Sequence, residues 1–133
     1  MRKLFIASLA LLPVLTAGAT CPVLPQDAGL AWQATQTDDG MTCYALQTDG
    51  AMAFGLWVGT TRVDMPVDPV VLGSGQIAGI PILWVKAKSH NSRQALATLG
   101  AGTNIHAFVP DSPADTLQLR LAQLAALPTP GAP

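Results

Sequence analysis

The sequence predicts a small α+β domain in which a mainly antiparallel sheet of about five strands carries two helices packed on one face. Between residues 30 and 58, short segments of alternating apolar and polar residues are separated by Asp-Gly turns. A later segment is apolar on both alternating sets, and the last third of the chain contains a helix-start pattern. Together these three observations favour a sheet built largely from neighbouring strands.

The segment on which this fold depends is residues 76–88, with the sequence QIAGIPILWVKAK. From residue 82 to 85 both alternating sets are apolar, which predicts a central strand buried on both faces. Gly79 predicts a bulge, and Pro81 lacks a backbone N–H for the ladder. Full pairing is therefore expected only over residues 82–87.

Three earlier segments predict an antiparallel meander. Residues 30–35, 41–47 and 51–58 each show strand alternation, and the two connections carry Asp-Gly turn chemistry. Residues 59–75 follow without clear periodicity and are interrupted by prolines. Long connections of this kind are often functional, although a plain surface excursion or an edge strand is the commoner case.

The segments after the apolar strand predict helix, strand and helix. Residues 91–99 fit a short helix with Ala95, Leu96 and Leu99 as its buried stripe. Residues 104–109 fit a strand, and the length of the connection allows it to lie parallel to the preceding strand after a crossover.

The last helix has the clearest local signal. Ser112 is the expected cap, Pro113 occupies the first helical position and Asp115 follows three residues after the cap. Leucines then recur at helical spacing until Pro128.

The N-terminus predicts an export signal. Arg2 and Lys3 precede an apolar run, and Ala17-Gly18-Ala19 is a small-residue cleavage site. The expected organisation is a signal peptide over residues 1–19, one domain over 20–127 and a disordered Pro-rich tail over 128–133. The mature protein is then periplasmic or secreted; a buried N-terminal helix is the alternative.

Charge argues against several partners. Removing Arg2 and Lys3 from the seven basic residues leaves five against eight acidic residues, every one of them Asp. A net negative chain disfavours binding to nucleic acid, which selects a basic surface, and to an anionic membrane. No segment after the signal is long and apolar enough to predict a membrane span.

Cys21 and Cys43 are the two cysteines of the chain. An even number in an exported protein predicts a disulfide. Lipidation of Cys21 is the alternative, but Gly18 and Thr20 fit that signal poorly and Cys43 would be left as a free thiol.

The titratable residues form no recognisable catalytic motif. His90 follows the apolar strand and His106 lies within the next one, and neither has the spacing of a zinc site, so no metal or other cofactor is expected. A small hydrolase that uses His90 or His106 with an aspartate is the enzymatic alternative.

The preferred function is therefore a small exported, non-enzymatic binding protein, such as an inhibitor, immunity-type or accessory protein, with a protein or small-molecule partner. Trp57 lies on the face of its strand that otherwise carries small residues, so it either contacts a ligand or makes room for a helix. The candidate surface combines Trp57 with Asp64, Asp68 and His106. A structural subunit of an envelope assembly is a further alternative.

Overall fold

Within residues 20–130, which a computed structural model describes, the chain forms seven strands and one α-helix. Two short 3-10 helices, Gln26–Ala28 and Gly100–Gly102, complete the regular structure. The seven strands and the helix are β1 (Ala31–Thr37), β2 (Gly40–Leu46), β3 (Met52–Gly59), β4 (Val70–Ile77), β5 (Ile80–Lys86), β6 (Arg93–Thr98), β7 (Asn104–Val109) and α1 (Ala114–Ala126). The predicted signal over residues 1–19 and the last three residues of the predicted tail lie outside the described residues.

All seven strands belong to one sheet in the order β1-β2-β3-β7-β6-β5-β4, and every neighbouring pair is antiparallel. The α+β class is therefore right in outline, but the prediction of five strands and two helices is wrong. The meander β1-β2-β3 is confirmed, with bounds close to those expected.

The predicted helix over residues 91–99 is instead β6. Ala95 and Ala97 are buried on one face, whereas Gln94, Leu96 and Thr98 alternate with them. Both periods fit so short a segment, and the hydrogen bonds to β7 decide between them.

The predicted parallel arrangement of residues 104–109 is wrong for the same reason. β6 and β7 form an antiparallel hairpin across a loop that contains Gly100–Gly102, and the Leu99 N–H donates to the Thr103 carbonyl at 2.7 Å. A loop this short does not provide the crossover that parallel strands require.

β5 is the second strand from one edge of the sheet, not its centre. Ile82, Trp84 and Val85 are buried, but Leu83 is 50% exposed, so the prediction that the whole of residues 82–85 is enclosed is wrong. Cα pairing between β5 and β6 is restricted to Val85 with Gln94. Pro81 contributes to this sparse pairing because it has no N–H to donate.

The predicted bulge at Gly79 is a turn. Ala78 and Gly79 form the two-residue connection between β4 and β5, and both have positive φ, 51° and 76°. This geometry suits the twist of a tight hairpin.

One face of the sheet carries the main hydrophobic core. Phe54, Leu56 and Ile105 in the central strands, Ile77 in β4 and Leu124 in α1 are all fully buried in one cluster. The helix leaves the end of β7 and ends at the β4–β5 turn, so it covers this face over β6, β5 and β4.

The start of α1 differs from the expected cap. Ser112 does not cap the helix, because its hydroxyl donates to the Pro110 carbonyl at 3.1 Å. Pro113 occupies the cap position without a side-chain hydrogen bond. The helix itself is confirmed.

The N-terminal segment covers the opposite end of the core face. Cys21 and Cys43 form the predicted disulfide, with their Cα atoms 5.9 Å apart. The indole Nε1 of Trp32 donates to the Pro22 carbonyl at 2.6 Å. These two interactions hold the start of the described chain against β1 and β2.

Residues 60–69 connect β3 to β4, which run parallel to each other with three strands between them. Three of these residues are half-buried but lie outside the core cluster that α1 covers: Val63, Met65 and Pro66. Val85 is also buried outside that cluster, on the face away from Trp84. We infer that this connection crosses the face opposite α1, where a right-handed crossover would place it.

Candidate functional site

A groove runs between the edge strand β4 and the helix α1. Its volume is about 490 Å³, and it opens along the core face of β4, β5 and β6. Glycines, apolar side chains and several hydrogen-bonding groups line it: Leu72, Gly73, Ser74, Gly75, Gln76, Trp84, Arg93, Gln118, Leu121, Ala122 and Ala125.

The β4–β5 turn positions the helix beside this groove. The backbone N–H groups of Ala78 and Gly79 donate to the Leu124 and Ala125 carbonyls, at 3.0 Å and 3.1 Å. Carbonyls in the last turn of a helix have no partner within the helix, so these bonds satisfy two of them. The end of α1 is thereby fixed to the turn that ends β4.

β4 is an edge strand whose free backbone groups alternate along the chain. Ile77 and Ile80 flank a two-residue turn, a position in which antiparallel partners exchange hydrogen bonds. Gly75 pairs with β5 in the same way, so the N–H and C=O of Ser74 and Gln76 face away from the sheet. β4 contains no charged residue and no proline, the usual protections of a sheet edge.

Trp84 forms the floor of the groove. Its side chain is only 3% exposed, and it packs beside Gly75, where a Cβ would lie 2.6 Å from the indole Nε1. This N–H has no acceptor among the described residues. In residues 20–130, the one polar side-chain atom that is both fully buried and without a partner is the Nε of Arg120, so the Trp84 Nε1 is not fully buried. The Trp84 N–H therefore keeps access to the groove.

Arg93 supplies the positive charge of the groove. It is the first residue of β6 and half-buried, and its guanidinium makes no ion pair or hydrogen bond with a side chain in residues 20–130. No acidic residue lines the groove. The polar groups of the groove are therefore the guanidinium of Arg93, the indole N–H of Trp84 and the neutral residues Ser74, Gln76 and Gln118.

Two of the predicted binding residues, Trp57 and His106, lie on the opposite face of the sheet. They are cross-strand neighbours in β3 and β7. The indole of Trp57 lies over Gly59, and the ring of Phe108 lies over Gly55. The small residues beside Trp57 thus make room for aromatic rings of the sheet itself and not for a helix, which packs on the other face.

His106 is held by a neighbouring strand. Its Nε2 lies 2.9 Å from the amide oxygen of Gln94. Burial lowers the pKa of His106, because the cationic imidazole loses solvation. The hydrolase alternative expects an aspartate at this position, whereas the partner is an amide. His90 is exposed in the connection after β5.

Asp64 and Asp68 lie in the connection between β3 and β4. Asp64 is exposed, and Asp68 forms an ion pair with Lys88 at 2.7 Å. At the other end of this segment, the Thr61 hydroxyl donates to the carboxylate of Asp39. That hydrogen bond lowers the pKa of Asp39. Both ends of the segment are therefore attached to the sheet through aspartates.

The sequence predictions did not include the groove residues. Ser74 lies in the connection over residues 59–75, and Trp84 lies in the segment predicted to be buried on both faces. The available signal was the spacing of Gly73 and Gly75 in an uncharged segment that precedes an Ala-Gly turn. A glycine within a strand often indicates close approach of another group, and at Gly75 that group is the indole of Trp84. Gly73 has no such neighbour, but its φ of 141° is one that other residues rarely adopt.

No family model matches the chain, and no curated protein or solved structure matches it either. Among the described residues, no helix has both the length and the apolar character that crossing a membrane requires. The disulfide is compatible with export.

Proposed function

We propose that the protein is an exported, non-enzymatic binding module that receives an extended peptide segment of its partner alongside β4. The observation that carries the proposal is an unpaired edge strand next to a groove formed with a helix. In strand addition, main-chain hydrogen bonds provide affinity and pockets for alternate side chains provide specificity. Ser74 and Gln76 supply the outward-facing backbone groups for those hydrogen bonds.

The glycines of β4 suit this mode of binding. Gly73 and Gly75 present no side chain towards the groove, so the side chains of an added strand can enter it beside Leu121 and Ala125 of α1. Leu72 and Val71 are both exposed at the start of the same strand and add apolar surface. An added strand would bury these side chains while pairing the free edge.

A proline at Gln76 tests the proposal. Gln76 donates no hydrogen bond to β5, so Gln76→Pro removes an outward N–H and leaves the β4–β5 ladder in place. Gln76→Ala is the matched control, because it shortens the side chain and keeps the N–H. Both variants and the wild type are screened against a display library of random ten-residue peptides, followed by affinity measurements on purified peptides.

Peptides that bind the wild type and Gln76→Ala equally, but bind Gln76→Pro at least about tenfold more weakly, would support strand addition. Failure to enrich any peptide, or peptides that bind Gln76→Pro as well as the wild type, would contradict it. Self-association that Gln76→Pro abolishes would also contradict it and would favour the structural-subunit alternative. Circular dichroism confirms that each variant is folded.

A further inference from the structure

The guanidinium of Arg93 and the indole N–H of Trp84 line the same groove, and within residues 20–130 neither side chain has a hydrogen-bond partner. We propose that Arg93 and the indole N–H of Trp84 bind a carboxylate of the added segment, either an Asp or Glu side chain or a free C-terminus. This inference rests on the proposed peptide-binding function and names the chemical group that the groove selects. It concerns a part of the groove different from the outward-facing backbone of β4.

The charge distribution favours an anionic ligand. Five basic side chains occur in residues 20–130. Lys88 pairs with Asp68, Lys86 donates to the His90 carbonyl, and Arg120 donates to Gln123. Arg62 is exposed, which leaves Arg93 as the half-buried arginine without a partner among the described residues.

The geometry favours a carboxylate in particular. A guanidinium presents parallel N–H donors that match the two oxygens of a carboxylate. The groove is partly enclosed, so a pair formed there is less screened than one on an open surface. The indole N–H of Trp84 supplies a further donor, and its neighbours hold this residue in place because only 3% of it is exposed.

The comparison with Trp32 indicates that the free indole is a property of this groove. Trp32 lies at the other end of the core face and donates to the Pro22 carbonyl at 2.6 Å. Trp84 belongs to the buried core and Trp32 packs against it, and each lines a pocket. Among the described residues, however, only the Trp32 N–H has an acceptor.

A direct test uses acetate as the probe and acetamide as its neutral, nearly isosteric control. The three indole N–H signals of the ¹⁵N-labelled protein are followed during titration at constant ionic strength. The proposal predicts a saturable shift of the Trp84 signal with acetate, little or none with acetamide, and an unchanged Trp32 signal. In Arg93→Gln the acetate shift is expected to disappear.

No saturable shift of the Trp84 signal with acetate, or an equal response in Arg93→Gln, would overturn the proposal. Inorganic phosphate is titrated in parallel: a response to phosphate without one to acetate would also overturn it, because the groove would then select a different anion. Since acetate needs no added strand, this test is independent of the peptide screen. A positive acetate response with no peptide binding would contradict the proposed function and leave the anion site standing.

The selected peptides provide the second test. Three forms of a selected acidic peptide are compared: the peptide itself, the analogue with Glu replaced by Gln or Asp by Asn, and the C-terminally amidated form. The affinity of each is measured for the wild type and for Arg93→Gln. The proposal predicts that Arg93→Gln weakens the acidic peptide about tenfold or more and has little effect on the analogue that lacks the critical carboxylate. Arg93→Lys should retain part of the affinity, because lysine keeps the positive charge but does not present two parallel N–H donors. Equal losses for both peptides would contradict a specific pair.

Discussion

The two ends of the core face are built from similar parts but differ in the hydrogen bonding of their tryptophan indoles. At the β1 end, Trp32 of the edge strand lies beside the N-terminal segment and lines a smaller pocket. Its indole N–H donates to the Pro22 carbonyl, and a disulfide holds the N-terminal segment in place. At the β4 end, Trp84 of β5, the strand next to the other edge strand, lies under a groove, and its indole N–H has no acceptor among the described residues. This difference in hydrogen bonding is the basis of our proposal that the second end binds a ligand, whereas the first contributes to stability.

The largest expected effect is at the covered end. The double variant Cys21→Ala/Cys43→Ala should lose about 3 kcal/mol of unfolding free energy, the amount that the chain-entropy model gives for residues 22 apart. Denaturation in urea measures the loss. If the comparison is right, hydrogen-exchange protection falls first in β1 and β2, whereas the Trp84 indole signal stays unchanged; uniform changes at both ends would contradict it.

The next effect concerns the open end. Gly75→Ala places a Cβ 2.6 Å from the Trp84 Nε1, so the indole or the strand must move. We expect a loss of about 2 kcal/mol in stability and a large shift of the Trp84 indole signal. Gly100→Ala is the control, since a Cβ there meets no atom within 4 Å. If Gly75→Ala matches Gly100→Ala, the close packing of Trp84 on β4 is incorrect.

Arg93 and Arg120 provide a sharper form of the comparison, because neither has an anionic partner among the described residues. Arg120 is only 7% exposed, lies in the core side of α1 and has an unpaired Nε. Arg120→Met should therefore stabilise the protein, by about 1 kcal/mol, because a buried unpaired charge is removed at similar volume. Arg93→Met should change stability less and abolish the acetate response. Destabilisation by Arg120→Met would contradict this prediction, because it would show that interactions in the folded protein compensate the buried charge of Arg120.

The smallest predicted effect is a pH dependence from the face opposite the helix. The pKa of His106 is lower in the folded protein than its ordinary value of 6.5, so the unfolded chain binds more protons as the pH falls below about 6.5. Stability should therefore be full above that pH and decrease below it. Urea denaturation at about pH 7.5 and about pH 5 should show a smaller decrease for His106→Gln than for wild type. Equal decreases in the unfolding free energy of the two proteins would show that groups other than His106 cause the pH dependence.

Local signals in the sequence predicted much of the sheet. The Asp-Gly turns fixed the meander, and leucines at helical spacing fixed α1, because each pattern is specific over a few residues. Residues 93–98 were misassigned, since alanines and a leucine fit both periods and only pairing with β7 distinguishes them. Burial of residues 82–85 was overestimated because Leu83 lies near a sheet edge, a fact of strand order that no local pattern contains.

The candidate site was harder to predict for a related reason. The groove joins β4, β5, β6 and α1, so its residues are far apart in the sequence. Trp84 appears apolar in its segment, and only the structure shows that its N–H reaches a groove. The predicted pair Trp57 and His106 does lie together, but on the other face and with small residues that accommodate aromatic rings.

The most direct measurement follows the three tryptophan indole N–H signals while a peptide from the display screen is added to the ¹⁵N-labelled protein. Each tryptophan reports on one region: Trp32 on the covered end, Trp57 on the face opposite the helix and Trp84 on the groove. The account predicts that the Trp84 signal and the backbone amides of Ser74 and Gln76 shift together, with Trp32 and Trp57 unchanged. A shift centred on Trp57 or Trp32, with Trp84 unaffected, would contradict it.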